Sequence, residues 1–115
     1  MNFKKPTVQL LGRFQPFHDG HFALFKEAIK KTGQVCIMVR DTGGTDKNNP
    51  FDFDFIKDQI ENKLLPKYKN KFVVLLVPNI TNISYGRDVG YKIEEINLPD
   101  EIKKISATEI RKIIT

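Results

Sequence analysis

The segment Gly12-Arg13-Phe14-Gln15-Pro16-Phe17-His18-Asp19-Gly20-His21 gathers two imidazoles and a guanidinium between a short apolar run and the start of a helical pattern. A helix N-terminus offers unpaired backbone N–H groups and the positive end of the helix dipole, so it favours an anion before any side chain is added. His18 and His21, three positions apart, can reach one face of the helix opening and donate to the same phosphoryl group. Gly12 lets the chain leave the preceding strand tightly, and Gly20 leaves room for a phosphate beside the backbone. A single histidine near a helix start is ordinarily a cap or a surface residue. Two of them, set among Arg13, glycines and Pro16, indicate a place for phosphoryl groups.

A second group lies near the other end of the chain. Ser106 and Glu109 have the S-x-x-E spacing of a capping box and so open a helix. Thr108 in its first turn and Arg111 one turn in bring a hydroxyl and a guanidinium toward the same opening, which suits the outer phosphates of a nucleotide. Arg40, after the second apolar run, and Arg87, within Tyr85-Gly86-Arg87-Asp88-Val89-Gly90-Tyr91, sit where strand ends should gather, with simple surface placement as the competing reading. Asp52, Asp54 and Asp58 cluster at a helix start, where pairing with the helix dipole explains them better than a metal site does.

The elements that must position these residues alternate. Val8 to Leu11 read as a buried strand ending at Gly12. From Asp19 the spacing of Phe22, Phe25 and Ile29 predicts a helix that Gly33 stops. Val35 to Val39 read as a second strand, followed by a polar loop from Arg40 to Pro50. A second helix is expected from about Asp52 to Leu65, with Ile56, Ile60 and Leu64 on one face, and a third strand from Phe72 to Val77. The alternation of Tyr91 to Ile96 suggests a fourth strand, and Ser106 to Ile114 a closing helix. Strand, helix, strand, helix, strand implies right-handed crossovers: an α/β, Rossmann-like parallel sheet with helices on both faces. In such sheets ligands bind outside the carboxyl ends of the strands, which is where the histidine segment falls.

Composition narrows the class. At 115 residues the chain fits one domain, residues 1–115, with no linker, repeat or low-complexity tract. Its single cysteine, Cys36, excludes a disulfide framework and reads as a core filler in an apolar run. No run approaches a membrane span, and the apolar stretch behind the basic start is too short for a signal peptide, so a cytoplasmic, intracellular protein is expected. The net charge of +5 comes from lysines spread along the chain, mostly beside predicted helices, so a solvated surface explains it and no nucleic-acid partner is expected.

The histidine segment resembles the HxGH signature of the nucleotidylyltransferase superfamily. In its longer form, GRFQPFHDGH is similar to the opening of archaeal-type nicotinamide mononucleotide adenylyltransferases and their bacterial relatives. Ile105-Ser106-Ala107-Thr108-Glu109-Ile110-Arg111 looks like the ISxTxIR motif of the same families, in the expected order and near the expected end. The resemblance implies that His18, His21 and Arg111 carry the chemistry and that Gly12, Arg13, Phe14, Gly20, Ile105, Ser106 and Thr108 hold the nucleotide. Asn49-Pro50-Phe51 resembles an NPF segment found ahead of a helix in the archaeal enzymes, which places Asn49, with Arg40 and Arg87, toward the acceptor. Only four residues follow Arg111, so the phosphate chemistry is expected to carry over better than nicotinamide mononucleotide as acceptor.

The implied reaction is transfer of AMP from ATP to a small phosphorylated acceptor. The acceptor phosphate, already ionised, attacks the α-phosphorus in line and pyrophosphate leaves. Such chemistry needs positioning and charge neutralisation more than a covalent intermediate. His18 and His21 would stabilise charge building on the phosphate oxygens, while Ser106, Thr108 and Arg111 would hold the leaving pyrophosphate. A magnesium ion (Mg2+), held mainly by phosphates and water, fits. Two alternatives stand beside this one: a cytidylyltransferase that uses CTP to make a CDP-alcohol, and a nucleotide-binding module without catalysis. A chain this small would gain from forming a homo-oligomer.

Overall fold

A computed structural model describes residues 1–87 and 90–98. Three strands and two helices alternate along the chain: β1 (Val8–Gly12), α1 (Asp19–Thr32), β2 (Val35–Arg40), α2 (Phe53–Leu64) and β3 (Phe72–Val77). The strands form one parallel sheet in the order β1-β2-β3. This is the α/β architecture that the alternating pattern predicts. The reversal of strand order that creates a crevice in a doubly wound sheet does not occur among the described residues.

Each helix is bounded by the chemistry at its ends. Gly33 closes α1 in the left-handed conformation (φ 84°), and its N–H donates to the Ile29 carbonyl at 2.8 Å. Asp52 caps α2, its Oδ1 accepting from the Phe55 N–H at 2.9 Å, and Pro66 follows the last turn.

The register sets Leu10, Ile37 and Val74 side by side across the sheet. Val35, Ile37 and Val39 of β2 alternate onto this face and are buried. Phe25 and Ala28 of α1 and Ile56, Ile60 and Leu64 of α2 complete the same cluster. Both helices therefore lie on one face of the sheet, as two right-handed crossovers running in the same direction require. Gln9, Leu11, Cys36, Met38, Val73 and Leu75 alternate to the other face, where the second helical layer expected from sequence is not found among the described residues. Cys36 is thus half-buried on the face away from the helices rather than in the core, and burial pushes its thiol up.

Tyr91 to Ile96 form no strand. Alternation specifies a strand only where one face is buried and an edge is there to pair, and Tyr91 and Ile93 are both exposed. This stretch is held instead by Ile96, which packs against the core, and by Glu94, whose carboxylate accepts from Lys31 at 2.9 Å.

Candidate functional site

The turn after β1 is shaped by Phe14. Its backbone lies in the left-handed region (φ 52°), which costs a side chain about 1–2 kcal/mol, and its ring folds back to become buried. A Cβ on Gly12 would sit 3.1 Å from the tip of that ring, a tight approach that glycine avoids. The ring presents its edge to His21 (centroids 4.8 Å apart, 83° between planes), and Phe17 stacks on the same imidazole at 5.6 Å. Phe14, which the resemblance places at the nucleotide, also supports the histidine from beneath.

His18 and His21 cap α1 reciprocally. His18 Nδ1 accepts from the Gly20 N–H at 3.0 Å and the His21 N–H at 3.4 Å, while the His18 N–H donates to His21 Nδ1 at 3.2 Å. The arrangement is a capping box built from two imidazoles, and their rings stack 3.8 Å apart at 18°. An Nδ1 that accepts from a backbone N–H carries a lone pair, so the proton of each neutral ring is on Nε2. Gly20 is buried and its N–H is engaged by His18, so a phosphate would have to displace that bond to use it.

Burial, and then the neighbouring His18 ring, push His21 down to about 3, against the Pro16 carbonyl, which favours the charged form. Burial also lowers His18, opposed by Asp19. Both rings are neutral at pH 7 and carry no cationic charge there. The linked stability has a definite sign. Between about pH 6.5 and 3 the unfolded chain binds a proton at residue 21 that the folded chain refuses, so stability falls as pH drops through that window. We expect the wild type to lose on the order of a few kcal/mol more than His21→Gln between pH 7 and 4, read by denaturant unfolding. Carboxylates titrate alike in both proteins; parallel curves would mean that His21 is not held neutral.

The histidine turn meets the loop between β2 and α2. Arg13 Nη1 donates to Asn49 Oδ1 at 3.1 Å, and Asn49 Nδ2 donates in turn to the Asp46 carboxylate. That carboxyl is held below its usual range by the Asn49 side chain first, then by the Asn49 and Asn48 backbone N–H groups, with Arg13 adding to the effect. Beneath this exposed network, Gln15 is buried and bonds twice to Phe51: Nε2 donates to the carbonyl at 2.8 Å and Oε1 accepts from the N–H at 3.0 Å. Residue type and spacing assign Gln15 no role. The available signal was a polar residue wedged between Phe14 and Pro16, in a turn otherwise lined by aromatic rings.

A cleft of about 350 Å³ opens between α1 and α2, walled by Phe17, His18, Asp19, Gln59, Asn62 and Lys63. A smaller hollow of about 100 Å³ lies at the carboxyl ends of β2 and β3, where Arg40 and Thr42 meet Gln15 and Phe51. The structure thus brings Gly12, Arg13, Phe14, His18, Gly20, His21, Arg40 and Asn49 to the carboxyl end of the sheet. Arg87 is exposed and outside both hollows. Ile105, Ser106, Thr108 and Arg111 lie outside the described residues, and with them the expected meeting of His18 and Ser106.

Comparison with known proteins fits this geometry. A family model described as cytidylyltransferase-like matches residues 10–54, the stretch that runs from β1 through both loops to the start of α2. The chain is 30% identical over 135 aligned positions to a protein of Sulfurisphaera tokodaii named nicotinamide-nucleotide adenylyltransferase, covering 90% of this chain and 76% of that one. A protein of the same name from Saccharolobus solfataricus is 25% identical over 133 positions, with the same coverage.

Proposed function

The chain belongs to the cytidylyltransferase-like family of nucleotidylyltransferases, and on that premise we propose that it transfers AMP from ATP to a small phosphorylated acceptor, with release of pyrophosphate. The observation that carries the reading is the stacked pair of neutral histidines at the N-terminus of α1, in the turn that also carries the Arg13 guanidinium. Neutral donors held by backbone bonds need no rearrangement as charge develops on the phosphate oxygens, which is the property that lowers a barrier. The names of the two relatives make nicotinamide mononucleotide the first acceptor to test, ahead of the other phosphorylated small molecules that the same chemistry would accept.

Arg13, free to exchange Asn49 for a phosphate, would hold the acceptor or the triphosphate. On resemblance Ser106, Thr108 and Arg111 are assigned to the leaving pyrophosphate and Asn49 to the acceptor, and Arg40 and Arg87 are assigned to the acceptor from their place near the strand ends. Magnesium is part of the proposal, carried on the triphosphate, where it would neutralise charge on the phosphate oxygens. No three His, Cys, Asp or Glu side chains converge on a metal position among the described residues. No described helix is long and apolar enough to cross a membrane.

The deciding experiment pairs pyrophosphate release with thermal shift. With magnesium present, ATP should raise the melting temperature more than CTP at equal concentration, because a ligand that binds only the folded state stabilises it by mass action. ATP with nicotinamide mononucleotide should release pyrophosphate. A larger shift with CTP, and turnover only with phosphorylated alcohols, would make this a cytidylyltransferase; a shift without turnover on any acceptor would leave a binding module.

A further inference from the structure

Two tethers join the histidine turn to the Asn49–Phe51 loop, and they differ in kind. The Arg13–Asn49 bond is exposed, competes with water, and involves a guanidinium that the proposed chemistry needs for phosphate. The Gln15–Phe51 bonds are shielded, and both are made to the backbone of one residue in a segment that belongs to neither helix nor strand. A side-chain amide that gives and takes with a single peptide unit does what a neighbouring strand would do, across 36 positions of sequence. Asp52, the cap of α2, follows Phe51 directly, so the same bonds set where that helix begins.

We propose that Gln15 is a positioning residue that fixes the acceptor loop against the histidines, so that Arg13 can release Asn49 to a phosphate without the loop drifting. The inference rests on the adenylyl-transfer reading for its kinetic consequence and on geometry alone for its structural one. Gln15 would act through the Phe51 backbone. Its loss should spare nucleotide binding and misalign the acceptor, and a misplacement of about 1 Å in such a reaction costs up to roughly 100-fold in rate.

The test uses Gln15→Leu, which keeps the volume and removes both bonds, and Gln15→Glu, which keeps the bond from the Phe51 N–H and loses the other. For Gln15→Leu we expect the Kd for ATP to stay within about twofold, while kcat with nicotinamide mononucleotide falls roughly 10- to 100-fold and its KM rises. Gln15→Glu should fall between the two proteins. Amide hydrogen exchange supplies a readout independent of turnover: the Phe51 and Phe55 N–H groups should lose protection in Gln15→Leu while the His21 N–H keeps it. ATP affinity falling in step with acceptor use, or exchange rising evenly along the chain, would overturn the proposal, as would no change in either. If the wild type turns over no acceptor, the adenylyl-transfer reading fails, and the exchange pattern at Phe51 against His21 still decides the role of Gln15.

Discussion

Replacing His21 with alanine is expected to lower turnover by roughly 10²–10³-fold while leaving ATP affinity close to that of the wild type. The asymmetry follows from the state of the ring. A neutral Nε2–H contributes one hydrogen bond to a phosphate oxygen in the ground state, and a stronger one as negative charge builds on that oxygen in the transition state. Because His21 is half-buried, packed between Phe14 and Phe17 and fastened through Nδ1, the ring is already in place when charge develops. The substitution also removes the acceptor for the His18 N–H, a cap worth about 1 kcal/mol, so rates must be compared where both proteins are fully folded. Near-normal turnover with weakened ATP binding would make His21 a binding residue and sink the mechanism; loss of neither would reduce the pair to a helix cap.

The largest effect on stability is expected at Phe25. Its ring is fully buried beneath α1, edge-on to Tyr68 at 5.0 Å and to Phe72 at 6.3 Å. Truncation to alanine removes the burial of the ring and opens a cavity between helix and sheet that rigid neighbours fill only in part. Such changes cost about 3–5 kcal/mol, against a total of roughly 5–15 kcal/mol for a domain. In urea unfolding, Phe25→Ala should move the midpoint sharply down with little change in slope. A loss below about 1 kcal/mol would mean that Tyr68 and Phe72 collapse into the space and that the core is looser than its packing suggests.

Sequence made some of this legible for physical reasons. The three strands and α1 stand out because each is a short apolar run or a single amphipathic stripe between glycines and prolines. The limits of α2 differ from expectation only in that Asp52 and Leu65 are its caps rather than its ends. The fourth strand failed because alternation at Tyr91–Ile96 says nothing about whether an edge is present to pair with. At the site, the residue types announced phosphate chemistry, but not that the two imidazoles would bond to each other's backbone, since that depends on how each ring turns. Nor could Gln15 be read: its partner is a loop peptide 36 residues on, and no periodicity links two turns. Cys36 shows the converse, where an apolar neighbourhood in sequence does not say which face of a sheet a residue joins.

The sheet pairs its strands in chain order, β1 with β2 and β2 with β3, and this bears on how the protein is born. A nascent chain emerges N-terminus first, so β1, α1 and β2 leave the ribosome before the Phe51 peptide does. The peptide that Gln15 holds comes out only afterwards, so the bonds between the two loops are made after the histidine turn has been synthesised.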